Sequence, residues 1–589
     1  MNKKKNVFTM AIATALLTSS AFSRLPYPIY AQDNLNEFQE EENLQNQELE
    51  MTQISQEEAK EDGSVPPTTN INDEKIDQDF EVIESNLNGE EKVNENPDVT
   101  NSDSTTLNTV YVSDQGYDEN EGSETSPVLT LNKAVELVSD GGTIYLLSDL
   151  TMTESVRIND KSVTINGNGH RVHRSEDFVK VQDNARSTYN PAMFEINNWR
   201  QDSGDHVLTF EDIVLDDNGL AAGTVFTQQS TDQNGGNEDK VQDAIIASYT
   251  SNDIVLKQGT ILQNYGGMSA VRITSNAKLI MEEGSIIQDT QKIERGNCVD
   301  EKNDKTGQAG AIWIQGGQLD MQAGSSIKNM IGRAIYLDGG TANVGGTISN
   351  IAGRTTMWQG ASGIAIHVRN GGNAVFSGHI TNISADVAGG ENVEAIRNNN
   401  SNFESTAQSK IDNIHNMQVL FGYYSKDNIG GTVENCSFDY LFRATYNNMT
   451  FTDTALIQNN TCRNGVAKAV VYSTNGANYI FNGQMKNNDA KYAFYIINHG
   501  GKGSALTMNE GAKLIGNGSD TGVYVNASGC QFEMNGGEIT NFSTGVNVRG
   551  KNNSSASFIM NGGHIYDNKS QGINFNGVSD SRSIVQQCH

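Results

Sequence analysis

The chain has 589 residues, of which only five are cysteines, at 298, 436, 462, 530 and 588, with no CxxC pair. That excludes a small disulfide-stapled domain and a Cys-rich zinc site, and leaves the thiols as buried or incidental groups. The formal charge of −31 is strongly uneven, and the mildly acidic remainder gives no reason to expect nucleic-acid binding.

The first 31 residues read as an export leader. Lys3, Lys4 and Lys5 precede an apolar run over 7–22, and Ile29-Tyr30-Ala31 before Gln32 forms a cleavage site. The run is shorter than the roughly 20 residues a membrane-spanning helix needs. No later stretch spans either, so no membrane span is expected in the mature chain. Residues 32–106 follow as an acidic spacer. Positions 33–105 carry 22 acidic residues and three lysines, with almost no aromatics and no sustained period. Such a segment cannot bury enough apolar surface to offset chain entropy and is expected to be disordered.

From Leu107 to the end, at 107–589, one folded region is expected. TVYVSDQG (109–116) is a strand and turn, and Pro127 precedes a short amphipathic helix over 129–138 that covers the open end of a stack. Between 256 and 577 one unit recurs every 23 to 31 residues, as in LTMNEGAKLIGN, FEMNGGEITN and FIMNGGHIYDN. Strand, Gly turn, strand, Asn turn at such a period is the signature of a solenoid. Coils this short bury a core only by stacking, and about twelve to fifteen of them are expected. Asn264, Asn329, Asn350, Asn382, Asn459, Asn487, Asn517, Asn541 and Asn568 recur at the turns, where stacked amides form ladders. Two longer departures, 181–206 with Trp199 and Arg200 and 288–308 with Cys298, interrupt the register.

The run VYVSDQGYDENEGSETSPVLTLNKAVELVSDGGTIYLL followed by VTINGNGH resembles the opening of right-handed parallel β-helix proteins of the pectate-lyase-like group. The repeats resemble those of bacterial surface β-helix proteins built from GG-x-I-x-x-N units. The resemblance covers 107–577. It implies an all-β, right-handed parallel β-helix with a short N-terminal capping helix, and it implies little about activity, because that fold carries lyases, glycoside hydrolases, adhesins and stalks.

Aligning the second strand of each coil on its small or apolar opening residue places one column on the outer face. It reads Arg272, Trp313, Tyr336, His367, Arg397, Phe421, Arg443, Val471, Tyr495, Tyr524, Asn547, Asn574. A second outward column holds Gln315, Asp338, Arg369, Asn399, Tyr446, Asn526 and Arg549. An exposed row of rings and guanidiniums, spaced about 4.8 Å per coil, suits an extended, anionic glycan: rings stack on sugar faces while Arg and Asn bind hydroxyls and carboxylates. Aromatic ladders also stabilise sheets with no ligand at all. The ligand-binding set is therefore Arg272, Trp313, Tyr336, Phe421, Arg443, Tyr495 and Tyr524.

For catalysis, Asp338, His367, Arg369 and Arg397 fall on consecutive coils as an acid, base and clamp set, with Glu394 as the second acid that glycoside hydrolysis requires. The polygalacturonase-like set of NTD, paired Asp, GHG and RIK is missing, and the Arg base and calcium ligands of pectate lyases have no assigned positions. Glu211-Asp212 and Asp216-Asp217 read as a strand edge and turn rather than a metal patch. Neither a cofactor nor a metal is expected. The expectation is a secreted, extracellular or cell-surface protein of a Gram-positive-like bacterium, adhesin-like, whose partner is a polysaccharide or glycoconjugate, or a host or bacterial surface protein. The alternatives are a polysaccharide lyase or glycoside hydrolase acting in the same groove, and a structural stalk of a longer protein.

Overall fold

A computed structural model describes residues 106–178, 181–182, 188–189, 192–196, 205–219, 244–248, 251–265, 269–274, 276–289, 310–353, 363–385, 393–462, 469–499, 501–527, 529–550, 556–576 and 584–585. The expected leader and nearly all of the acidic spacer lie outside these residues, as do Trp199, Arg200 and Cys298 of the two interruptions. The described residues fall in one unit, Val93–His589.

The chain is a right-handed parallel β-helix with three sheets, and one coil shows the plan. Gln318–Met321 lies in the first sheet, Ser326–Ile331 in the second and Arg333–Asp338 in the third. The next coil repeats it with Thr341–Val344, Thr347–Gly353 and Gly363–Arg369. Each strand pairs in parallel with its counterpart one coil on: Gln318 with Thr341, Ser326 with Thr347, Arg333 with Ile364. The first sheet runs to 17 strands among the described residues, from Leu107–Val112 to Ile584–Val585. The stack is therefore longer than the expected number of coils, because the early strands Val138–Leu146 and Val163–Asn166 already belong to that sheet.

Strand alternation puts every second side chain inside. Leu319 and Met321, Ala342 and Val344, Ala374 and Phe376 follow one another up the first sheet, all buried. Further along, Phe451 packs edge-on against Phe442, Phe481 and Phe494 with centroids 5.1, 5.8 and 6.1 Å away. The helix is shorter than its pattern suggests, Leu131–Leu137, because Val138 already opens a strand. Thr130 caps it by accepting from Lys133 N at 3.1 Å, and Leu131, Ala134 and Val135 close over the first coil.

The corner between second and third sheets explains the asparagines. Asn264, Asn329, Asn350, Asn382, Asn459, Asn487 and Asn541 all have φ between 53° and 61°, the left-handed region that Asn tolerates better than other side chains. Their amides also bond between coils, Asn350 donating to Asn329 at 3.0 Å and Asn382 to Asn350 at 3.3 Å. Asn517 and Asn568 fall one residue past this corner, since Ile515, Thr540 and Tyr566 share the register that precedes it. Cys436 and Cys530 are buried, and Cys436 and Cys462 lie on neighbouring coils. Burial pushes the Cys436 thiol up to about 12, so it is an inert core group.

Candidate functional site

The outer face of the third sheet carries one uninterrupted column. The pairing runs Arg157, Glu195, Ala247, Arg272, Trp313, Tyr336, His367, Arg397, Phe421, Arg443, Tyr472, Tyr495, Tyr524, Asn547, Asn574. Every expected member stands in it except Val471. That residue pairs with Phe442 and Phe494 inside the core, and Tyr472 takes the outward place. The alignment on small opening residues chose Ala469. Ala493 and Gly522 show that the opening position in this coil is Val470. A one-residue slip turns every side chain to the opposite face. In the second column Tyr423 follows Asn399 and Thr445 follows Tyr423. Tyr446 lies one residue beyond, at the corner.

The column differs from expectation in accessibility. Tyr336 is only 1% exposed, His367 4% and Tyr472 0%, and Arg272, Arg443, Tyr495 and Tyr524 are also buried. Outward direction does not give exposure here, because successive side chains lie on one another. The Arg272 guanidinium sits 4.5 Å from the Trp313 ring centroid, and Trp313 and Tyr336 are 6.3 Å apart. Arg397 and Arg443 flank Phe421 at 5.7 and 5.5 Å. Tyr472, Tyr495 and Tyr524 continue the pile at 5.6 and 5.3 Å. Such cation–π and ring contacts contribute about 0.5–2 kcal/mol each. Trp313, Arg397 and Phe421 stay half-buried, as do Asp338, Arg369 and Asn399 beside them. These six form the accessible strip, and the buried rings form its floor.

The residues expected to be catalytic do come together. Tyr336, His367 and Arg397 are consecutive partners, and so are Asp338, Arg369 and Asn399. Arg369 Nη1 donates to the Tyr336 hydroxyl at 3.1 Å and its Nε lies 3.7 Å from Asp338. Asn370 donates to the same Asp338 carboxylate at 2.5 Å. Glu394, almost wholly buried, accepts two hydrogen bonds from Arg397, at 2.7 and 3.0 Å, and one from Gln418 at 2.6 Å. Both acids are thus held in ion pairs with arginine. Burial, reinforced by Arg333, Arg397 and Arg369, holds the His367 imidazole well below its ordinary pKa, so it is neutral. Among the described residues neither nitrogen of His367 has a hydrogen-bond partner, and nor does Trp313 Nε1. Buried orphan polar atoms are uncommon and call for a physical explanation, such as a bound group.

Sequence reasoning singled out Glu394 but missed the rest of the row that flanks this column. Glu394, Gln418 and Tyr440 share one register, continued by Tyr492. Tyr440 stacks on Tyr472 at 4.2 Å and Tyr492 on Tyr524 at 4.8 Å. Tyr440 and Tyr492 begin their strands, before the alternating pattern that made the main column visible, and Gln418 lies inside the long strand Lys410–Tyr423. Two carboxylates of the acidic run after Phe210 are buried and bonded within the solenoid. Asp216 is bonded by Arg171, by Gln263 at 2.7 Å and by Asn264 at 2.9 Å. Asp217 pairs with buried Arg174 at 2.5 Å. Among the described residues no three His, Cys, Asp or Glu side chains gather as a metal site would require. No described helix is long and apolar enough to cross a membrane.

No family model matches the chain, and no curated protein matches it. It is similar in shape to several solved structures. One is XylC in complex with xylose, 11% identical, covering 69% of this chain and 76% of that one at a TM-score of 0.27. Another is a GH136 lacto-N-biosidase from Eubacterium ramulus, 11% identical, covering 80% and 68% at 0.27. A third is the Streptococcus pneumoniae surface protein and adhesin PfbA, 10% identical, covering 74% and 92% at 0.23. Likeness at this level carries no argument about what this chain does.

Proposed function

We propose that this chain is an exported, adhesin-like β-helix protein of the pectate-lyase-like kind that binds an extended anionic glycan along the outer face of its third sheet. In this reading 1–31 is a leader, 32–106 a spacer and 107–589 the binding module. The observation that carries it is the in-register pile of rings and guanidiniums from Arg272 to Tyr524, with unsatisfied Trp313 Nε1 and His367 nitrogens in its middle. Trp313 and Phe421 offer ring area to sugar faces. Five arginines along the face, Arg272, Arg333, Arg369, Arg397 and Arg443, outnumber Asp338 and Glu394, the acids that pair with two of them, so the strip keeps an excess of positive charge to attract a carboxylate or sulfate. A stalk needs no such column.

A second reading, hydrolysis or lyase chemistry at the same place, draws on neutral His367 standing beside Asp338, Arg369 and Arg397. It is the weaker one because Asp338 and Glu394 are already paired with arginine, whereas paired-carboxylate hydrolysis needs one acid protonated and one free. The test is Trp313→Ala and Arg369→Ala in the full chain, with binding to uronic-acid and sulfated oligosaccharides measured by calorimetry. Each is expected to weaken binding about tenfold or more, a loss of 1.4 kcal/mol. Unchanged affinity in folded variants would refute the binding face.

A further inference from the structure

One corner of the solenoid carries aromatic residues where the backbone disfavours them. Over six consecutive coils the residue just after the third-sheet strand turns the chain into the first sheet with a positive φ. Gly316 and Gly339 hold this place with φ of 78° and 73°, and Asn370 and Asn400 with 53° and 51°. The next two coils hold Tyr424 and Tyr446, each at 49°. Gly and Asn meet the need of such a turn cheaply, whereas a bulky ring there is an outlier. The rings are also placed outward. Tyr424 is 54% exposed, the largest exposure of any described apolar or aromatic side chain after Tyr117.

The two rings stack at 4.9 Å with planes 15° apart, and Tyr423 stands upright against Tyr424 at 4.6 Å and 88°. Tyr446 is supported from beyond, since a Cβ at Gly476 would come within 3.0 Å of its ring. The result is a short aromatic stack whose exposed end is Tyr424, backed by half-buried Tyr446 and flanked by Tyr423 as an upright wall; this end is the shelf. Polar groups border it two residues along the chain, where Asn402, Lys426 and Asn448 follow one another in register, all exposed. Neighbouring coils continue the row with amide bonds, Asn402 to Asn373 at 2.6 Å and Asn478 to Asn448 at 3.0 Å. Lys426 interrupts this amide ladder beside the shelf.

We infer that the Tyr424–Tyr446 shelf is a second carbohydrate subsite, taking the apolar face of a neutral pyranose while Lys426 and Asn448 bond its hydroxyls. An exposed ring rimmed by amides and an ammonium matches a ligand that is apolar on its face and polar at its edge. The inference deepens the glycan reading given above and rests on it, but it uses different residues. Stability of the turn does not account for the tyrosines, because Asn serves the same turn in the two preceding coils.

Asn at these positions therefore supplies the test variants, Tyr424→Asn and Tyr446→Asn, which keep the turn and remove the rings. The full chain is titrated with neutral gluco-, galacto-, manno- and N-acetylglucosamine oligosaccharides, followed by calorimetry and saturation-transfer NMR. The expected result is that the wild type binds one of these series, that each Asn variant binds it at least tenfold more weakly, and that melting temperature is unchanged or raised. Arg369→Ala is expected to leave this neutral binding intact. Equal binding by wild type and Tyr424→Asn would overturn the shelf while leaving the third-sheet face standing. Failure of the wild type to bind any neutral series would also overturn the shelf, and failure on the anionic glycans too would remove both.

Discussion

A single buried carboxylate makes the interior sensitive to pH. Asp427 faces into the solenoid and accepts from Asn398 Nδ2 at 2.7 Å, Asn447 Nδ2 at 2.6 Å and Ser425 Oγ at 3.2 Å. Burial outweighs these bonds and pushes its pKa from 3.8 up to about 6. An acid whose pKa is higher folded than unfolded holds its proton more tightly in the native state. Its stabilising effect is full below about pH 4 and falls as pH rises through about 6, a difference of about 3 kcal/mol. Asp427→Asn should remove that fall, so the stability difference between pH 4 and pH 7 in urea should shrink by this amount. An unchanged pH slope would mean that Asp427 ionises without penalty. In the Glu394–Arg397 pair the two charges compensate each other. Arg397→Met should cost about 3–5 kcal/mol by stranding a buried carboxylate. Adding Glu394→Gln should restore much of that loss, and a double-mutant cycle on urea midpoints reads the coupling.

Among elements, the corners show how much of this fold could be read in advance. Recurring Asn and Gly pairs marked the turns, and the structure gives the reason in φ near 55° at Asn350 and its counterparts. Asn350→Ala should cost about 1–2 kcal/mol through the strained backbone and the broken amide ladder. Asn350→Gly should cost much less, and melting temperatures of the two decide it. Strand alternation likewise exposed the outward column, because a period of two is visible in AIWIQ, AIYLD and AIHVR. It failed at 469–474, where Ala469 imitated the small opening residue and hid Tyr472. Of the corner tyrosines, the strand pattern passes over Tyr424 and places Tyr446 in the outward column, for a different reason. Nothing local distinguishes Tyr423, Tyr424 and Tyr446 from strand aromatics, and only the pairing of Thr445 with Tyr423 sets Tyr446 beyond the strand end.

Across the whole molecule, repetition made the architecture legible, since a solenoid states its fold once per coil. The accessibility of the face was not legible. Whether an outward ring is exposed depends on the side chains one coil above and below, and these lie roughly 25 residues away in sequence. Tyr336 is buried between Trp313 and His367, and no local pattern reports that. The proposed binding surface thereby narrows from the whole column to a strip through Trp313, Asp338, Arg369, Arg397 and Phe421. The most direct measurement is to present the full chain to an array of anionic and neutral glycans and to analyse the same sugars for cleavage products. Retention of an anionic glycan without turnover, lost in Trp313→Ala, is the predicted result. Cleavage would place the chemistry at Asp338 and its neighbours instead, and silence on every glycan would contradict the account.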